Sequence, residues 1–334
     1  MADQPKLGYR LLGDSGLRVS DLWLGAMGYY EGDPDDTAPA LFDTYAEAGG
    51  NVIDTAPSYG ESESVVGAAL EKRRDSFVVA TKYVPPRAND SDDPNVAGGH
   101  RKNLRLSLEQ SLRRLRTDYV DVYWVHIWDK HTPLEEMMRA LDDAVRQGKI
   151  LYVGISNAPA WVVARANTLA EWRDWTPFVG LQVHYNLLER EVERDLLPMA
   201  EHLGIGVTAW SPLAGGRLSG KLTASGEVAD STRFTADHVT PAHRTAARAV
   251  QDVADEIGAT PAQVALAWLR GRNASVMPIV GSRTQAQLLD VVGSSGITLT
   301  PEAMRILNEA SPFTAGYPQD FIASADAQWS VFDA

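Results

Sequence analysis

The 334-residue chain contains no cysteine. That excludes a disulfide framework, thiolate metal sites and a cysteine nucleophile at once, and it fits the reducing cytoplasm, the location expected here. Long apolar runs are also missing, so no segment is expected to span a bilayer. Residues 1–6 are polar, with no cationic stretch leading into an apolar core, and no signal peptide is expected. Cations are scarce: 31 Lys and Arg stand against 44 Asp and Glu, a formal net charge of −13. Such a charge repels nucleic acid backbones and anionic lipid, so neither a nucleic acid nor a membrane is an expected partner. No His-x-His or His-Glu-x-x-His spacing occurs, which speaks against a metal-dependent hydrolase, and no metal site is expected. Two sequons, at 89–91 and 273–275, read as chance matches in a chain not expected to be secreted.

What the chain does have is a rhythm. Residues 9–19 read as a hairpin around the turn Gly13-Asp14-Ser15-Gly16. Short, continuously apolar strands then alternate with amphipathic helices. The strands fall at 22–25, 51–54, 77–81, 120–125, 151–155, 179–183, 205–210 and 277–280. Helical patterning covers 37–48, 63–70, 102–116, 161–169, 192–202, 241–257 and 285–292, with further helices after Thr260 and from Thr300-Pro301. One more helix ends at Gly148, with Thr132 expected as N-cap, Pro133 at its first position and Glu135 placed for a capping box. Residues 311–334 show no periodicity.

Continuously apolar strands signal a parallel sheet covered on its outer face. Eight βα units with no composition break predict one domain over 1–334. The expected fold is a closed (β/α)8 TIM barrel with an N-terminal β-hairpin and a C-terminal extension. In that fold, groups at strand C-termini converge on one mouth.

Two familiar phosphate-binding spacings fail on their context. Gly204-x-Gly206-x-x-Ala209 lies before and inside a strand, not between a strand and a helix. The Gly215 to Lys221 stretch has P-loop spacing, but Leu222 stands where a Mg-binding hydroxyl is needed. It remains a glycine-rich loop able to bring backbone close to phosphates.

Three consecutive strands end on an ionisable group: Asp54, Lys82 and His126. Tyr59 follows Asp54 on a Pro/Ser/Gly turn. Read alone, Asp54 is a turn-capping acid; together, the four residues have a chemistry. A phenol, with a free pKa of ~10, needs help to exchange protons near neutral pH. A neighbouring ammonium favours the phenolate, and a carboxylate holds that ammonium charged and in place. A His beside the phenol polarises a carbonyl or relays a proton. The competing reading is a buried Asp–Lys ion pair with a core His.

Asp54-Thr55-Ala56-x-x-Tyr59-Gly60, Ala80-Thr81-Lys82 and Asp121-Val122-Tyr123-Trp124-Val125-His126 resemble the catalytic tetrad motifs of the aldo-keto reductase superfamily. Gly154-Ile155-Ser156-Asn157, Leu181-Gln182-Val183-x-Tyr185-Asn186, Trp210-Ser211-Pro212-Leu213 and Gly281-Ser282-Arg283 follow in the family's order. The resemblance implies an NADPH-dependent oxidoreductase that reduces an aldehyde or ketone. Its partners are then NADPH/NADP+ and a small-molecule carbonyl substrate. It implies Tyr59 as the proton donor, Lys82 and Asp54 as its tuning groups, and His126 as the group that orients substrate. Ser156, Asn157 and Gln182 match positions that hold the nicotinamide carboxamide, and Trp210 matches an aromatic that stacks on the nicotinamide. Ser211, Pro212, Leu213, Gly215 and Arg217 would lie along the pyrophosphate. Gly281, Ser282, Arg283, Gln287 and Asp290 match the adenosine end, with Ser282 and Arg283 near a 2′-phosphate. Val291 stands where the family often has Asn. Substrate choice is expected in 83–99, 211–240 and the tail, with Tyr29, Tyr30 and Trp128 as pocket aromatics. The rival reading within the superfamily is a cofactor-binding regulatory barrel akin to the potassium-channel β subunits.

Overall fold

The computed structural model describes residues 6–29, 37–86, 93–222, 236–272 and 276–329. Tyr30, both sequons and parts of the 83–99 and 211–240 loops lie outside the described residues. In chain order the elements are β1 (Tyr9–Leu11), β2 (Arg18–Ser20), β3 (Trp23–Gly25), α1 (Thr37–Glu47), β4 (Val52–Asp54), α2 (Ser62–Leu70), β5 (Val78–Tyr83) and α3 (Arg101–Arg114). Then come β6 (Val120–Val125), α4 (Leu134–Arg146), β7 (Ile150–Ser156), α5 (Ala160–Arg173), β8 (Phe178–His184), α6 (Leu196–His202) and β9 (Gly206–Trp210). The last are α7 (Pro241–Ile257), α8 (Pro261–Arg272), β10 (Val276–Val280), α9 (Gln285–Gly293), α10 (Pro301–Ala310) and α11 (Gln319–Trp329). Strands β3 to β10 close into a parallel barrel in the order β10-β3-β4-β5-β6-β7-β8-β9, and β1 pairs antiparallel with β2. This is a (β/α)8 barrel with an N-terminal hairpin, as the rhythm of the sequence predicts.

Two apolar layers hold it together. Alternate residues of one strand feed both: Val78 and Ala80 of β5 join the barrel interior, while Val79 joins the shell beneath the helices. The interior holds two indoles, Trp23 and Trp124, with ring centroids 6.3 Å apart. Trp124 reaches over β7 and β8, and a Cβ on Gly154 would lie 2.3 Å from its ring, one on Gly180 2.7 Å from it. Glycine at those strand positions makes room for the indole. The hairpin turn seals the end of the barrel where the strands begin. Asp14 N donates to Gly204 O at 2.8 Å, and a Cβ on Gly13 would meet Gly204 O at 2.5 Å and Val179 O at 2.6 Å. The Gly204-x-Gly206 spacing thus seats a hairpin and not a phosphate.

Helix starts follow their capping chemistry where the cap is free to act. Thr260 and Gln263 exchange backbone and side-chain bonds at 3.2 Å each, a capping box before α8. Thr240, Thr284 and Thr300 cap α7, α9 and α10 through their hydroxyls.

Three expectations need correction. Thr132 does not cap α4: its hydroxyl donates to Asp129 Oδ2 at 2.7 Å, and Pro133 holds the N-cap position with no side-chain bond. The helix expected over 192–202 is broken into a 3-10 turn, Glu191–Glu193, and α6. Pro198 has no N–H to give an i−4 carbonyl, so the α-helix starts late enough to keep it in the first turn. The aperiodic tail contains α11, which buries no apolar stripe that a periodicity search would find. Among the described residues, no helix is long and apolar enough to cross a membrane.

The Trp124–Gly154 fit yields a test. Gly154→Ala forces a methyl into the indole, and overpacking of this kind costs ~1–3 kcal/mol. We expect a lower urea midpoint with an unchanged denaturant slope, restored only in part in Gly154→Ala/Trp124→Phe, because the Gly180 carbonyl, 2.9 Å from the new methyl, stays in place. An unchanged midpoint for the single variant would mean the indole moves freely.

Candidate active site

At the mouth, β4 ends on Asp54, β5 carries Lys82 next to its last residue, and His126 follows β6 directly. The ladder pairs Asp54 with Ala80, two residues before Lys82, and Lys82 with Trp124, two residues before His126, so the three groups step along the mouth from strand to strand. Lys82 is fully buried and Asp54 nearly so. The ammonium donates to Asp54 Oδ2 at 2.5 Å and to the Thr55 carbonyl at 2.9 Å. It lies 4.9 Å from the centroid of the Tyr59 ring. Burial alone would push the Lys82 pKa down; the Asp54 carboxylate and the Tyr59 phenol outweigh it, and the net direction is up. Lys82 therefore remains an ammonium in a dry site, where a charge acts with little screening.

The second oxygen of Asp54 accepts from Gln182 Nε2 at 3.0 Å. That bond ties β8 to β4 and fixes the amide's orientation, because a carboxylate only accepts. His126 stands edge-on to Tyr59, ring centroids 6.0 Å apart at 86°. Its pKa is pushed down to about 3, first by burial and then by the Lys82 charge. The site thus holds one cation and one neutral imidazole.

A second layer surrounds this cluster. Asn157 Nδ2 donates to the His126 carbonyl and to Ser156 Oγ, each at 2.8 Å, and Asn157 Oδ1 accepts from Trp210 Nε1 at 3.3 Å. Trp210 is stacked face to face on His184, centroids 4.0 Å apart and planes 3° apart. His184 was not expected in the site. It points into the barrel by the period-two alternation that places Gln182 there, and that was the only signal.

The remaining candidates form two loops. After β9, Ser211, Ala214, Gly215 and Gly216 all have positive φ, and Ser211 Oγ accepts from Gly215 N at 3.2 Å. Pro212 is buried and Leu213 half-buried, while Arg217 Nη1 donates to the Ala214 carbonyl at 3.0 Å. The turn is closed on itself: the Ala214 amide donates to the Ser211 carbonyl at 2.9 Å and the Gly216 amide to the Leu213 carbonyl at 2.9 Å, so Arg217 is the group here that brings positive charge.

After β10, Gly281 and Arg283 are exposed, whereas Ser282 is 4% exposed and its hydroxyl has no partner among the described residues. A buried hydroxyl without a partner is rare and calls for a ligand or water. The Arg283 amide donates to Gln287 Oε1 at 2.9 Å, which shapes the turn into α9. Asp290 Oδ1 accepts from Thr260 and Gln263, so it joins α9 to the start of α8. Val291 is buried in the core. Of the pocket aromatics, Tyr29 is buried against Phe42 and donates to the Ser282 carbonyl at 3.1 Å, which makes it a fastener of that loop. Trp128 is half-buried, edge-on to the exposed Trp161.

Comparison with known proteins agrees with this geometry. The model of the aldo/keto reductase family matches residues 21–312. An NADP(+) aryl-alcohol dehydrogenase of Phanerodontia chrysosporium is 38% identical over 328 residues, covering 91% of this chain and 85% of its own. The uncharacterized oxidoreductase YrpG of Bacillus subtilis (strain 168) is 38% identical over 318 residues, covering 92% and 97%. A norsolorinic acid reductase of Aspergillus flavus is 35% identical over 341 residues, covering 96% and 86%.

The neutral His126 has a consequence for stability. An unfolded chain takes up that proton at a pKa of ~6.5, the folded one only near 3. Between those values the unfolded state binds the extra proton, so His126 draws stability down as pH falls from ~6.5 toward 3. We expect His126→Asn to flatten this part of the stability curve, followed by urea denaturation between about pH 4 and 7. A slope equal to that of the unaltered protein would place the proton uptake elsewhere.

Proposed function

The chain belongs to the aldo/keto reductase family and is an oxidoreductase, and on that premise we propose that it reduces an aldehyde or ketone to the alcohol with NADPH. The observation that carries the reading is the buried Lys82 ammonium, held charged by Asp54 against the ring of Tyr59 with a neutral His126 alongside. NADPH, when bound, supplies a hydride for the carbonyl carbon. The protein supplies the proton and the orientation.

Tyr59 gives its phenolic proton to the carbonyl oxygen as negative charge develops there. Lys82 stabilises the phenolate that remains, and it acts from a fully buried position, where its charge is little screened. Asp54 keeps Lys82 charged and aimed, and Gln182 keeps Asp54 aimed. His126 orients the substrate oxygen beside Tyr59 as an uncharged ring, so it adds no second cation to compete for the phenolate.

The candidate cofactor residues fit a phosphorylated dinucleotide. Gln182 commits its amide nitrogen to Asp54 and keeps its oxygen for a carboxamide N–H. Ser156 and Asn157 lie beside it, and Trp210 offers an aromatic face. The turn through Ser211, Pro212, Leu213 and Gly215 would lie along the pyrophosphate, with the Arg217 guanidinium as its cation. Gly281, Ser282 and Arg283, with Gln287 and Asp290 on α9, suit the adenosine end, and the unpartnered Ser282 hydroxyl suits a 2′-phosphate oxygen. Relatives named for aryl alcohols and norsolorinic acid favour aryl carbonyl compounds as substrates.

Two measurements test the reading. Loss of a general acid is worth ~10²–10⁴-fold in rate, so Tyr59→Phe should lose kcat by that order across a panel of aryl and alkyl aldehydes while binding NADPH normally. More than half of the original turnover would sink the assignment. Charge-assisted hydrogen bonds contribute ~1.5–3 kcal/mol, so Arg283→Ala should weaken NADPH roughly 10- to 150-fold and leave NADH nearly unchanged. Equal losses for both cofactors in fluorescence titration would show that Arg283 does not read the phosphate.

A further inference from the structure

We propose that two adjacent residues, Ser62 and Glu63, form a clamp that positions Tyr59 against Lys82; the proposal rests on reading Tyr59 as the proton donor. Both side chains are fully buried at the start of α2, just after the turn that carries Tyr59. Neither touches the reacting atoms. Each instead grips a neighbour of a site residue on a different strand.

Ser62 serves the β4 side. Its hydroxyl donates to the Ala26 carbonyl at 2.8 Å and accepts from the hydroxyl of Thr55 at 2.7 Å. Thr55 follows Asp54 and is the residue whose carbonyl receives the Lys82 ammonium. The Ser62 amide also donates to the Tyr59 carbonyl at 3.2 Å.

Glu63 serves the β5 side. Its Oε1 accepts from the Thr81 hydroxyl at 2.6 Å, and its Oε2 accepts from Arg114 Nε at 2.7 Å. Thr81 precedes Lys82 and faces the helix layer while Lys82 faces the barrel, as strand alternation requires. Arg114 arrives from the end of α3 because α2 comes unusually close there: a Cβ on Gly67 would lie 2.4 Å from the Arg114 carbonyl.

The turn bearing the phenol is thereby fastened to the residue after Asp54 and to the residue before Lys82. A buried Glu–Arg pair adds little net stability over a matched apolar pair. What it does supply is a fixed geometry, because the carboxylate accepts only along its lone pairs and both oxygens are taken. The distance between phenol and ammonium is the quantity this geometry sets. Displacement of a catalytic group by about 1 Å can cost ~10²-fold in rate.

Thr81→Val removes the clamp's hydroxyl at nearly constant volume. We expect kcat to fall about 10- to 100-fold, with the carbonyl KM and NADPH affinity within about twofold, and Thr81→Ser to restore most of the loss. The decisive readout is a cycle with Tyr59→Phe. If the clamp acts through Tyr59, adding Thr81→Val to Tyr59→Phe costs less than about twofold more. Full multiplication of the two losses would overturn the clamp and leave a merely structural contact. Glu63→Gln, which leaves Arg114 facing a neutral amide, should show the same non-additivity and carries the test alone if Thr81→Val does not fold. A Tyr59→Phe protein with undiminished turnover would remove the proton-donor reading beneath the clamp, an outcome distinct from multiplication.

Discussion

The mouth of the barrel depends on one buried charge. An ammonium without water is costly, and Lys82 is fully buried beside the ends of β4, β5 and β6. Asp54 and the Thr55 carbonyl satisfy two of its protons, and the remaining direction is occupied by Tyr59. The requirement spreads outward. Asp54 must be held, which Gln182 does from the opposite side of the barrel, and His126 must stay neutral, which burial and the same charge enforce. Removing either member of such a pair is far more damaging than the pair's own net contribution would suggest, because the survivor is left charged and dry. The site's geometry is therefore set by what Lys82 cannot do without.

The two ends of the barrel divide their tasks. At the end where the strands begin, Gly13, Gly204 and Gly206 let the hairpin turn press backbone against backbone, and the interior above is filled by Trp23 and Trp124. Among the described non-glycine residues at that end, Arg116 and Asp174 take positive φ, each just after a helix, with Asp174 as the left-handed C-cap of α5. At the mouth the pattern differs. Val84, Lys130, Asn157, Ser211 and Ala214 all take positive φ on loops that follow strands. Such conformations cost of order 1–3 kcal/mol each for residues other than glycine, and a β-branched residue such as Val84 is the least suited of all. A filled, well-packed interior supplies the stability against which this local cost is set.

Much of this was legible in the sequence, and the parts that were not share a cause. Strands and helices emerged from periodicity and capping residues, as at Thr300-Pro301 before α10, because those signals are local. Asp54, Lys82 and His126 could be placed together because parallel strands deliver their ends to one face. The misreadings came where a side chain had a better distant partner or a local veto. Thr132 turned to Asp129, Pro198 cut a helix short, and α11 exposes Phe321, Ile322 and Trp329 where a periodic reading looks for a buried face. Gln182 reaches Asp54 across 128 positions, and Glu63 reaches Arg114 across 51. Pairings at that range are decided by the closed barrel, not by neighbours in the chain. His184 was hidden for a different reason: a lone histidine beside a strand end is common, and only the parallel stack on Trp210 distinguishes it.

The overall charge sharpens the question of how an acidic protein would take up a polyanionic cofactor. A net charge of −13 gives no long-range attraction, and at physiological salt such a field fades within ~8 Å in any case. The attraction must then be local, and the loops after β9 and β10 have the means. Arg217 brings a guanidinium to the first, its Nη1 braced on the Ala214 carbonyl, and the α9 N-terminus stands just beyond Arg283 on the second. Tyr29 and Gln287 hold that second loop by its backbone, through the Ser282 carbonyl and the Arg283 amide. The Ser282 hydroxyl and the Arg283 guanidinium are thus presented on a turn whose shape does not depend on them. Preorganised donors of this kind bind an anion without first having to be ordered, and that compensates for the missing field.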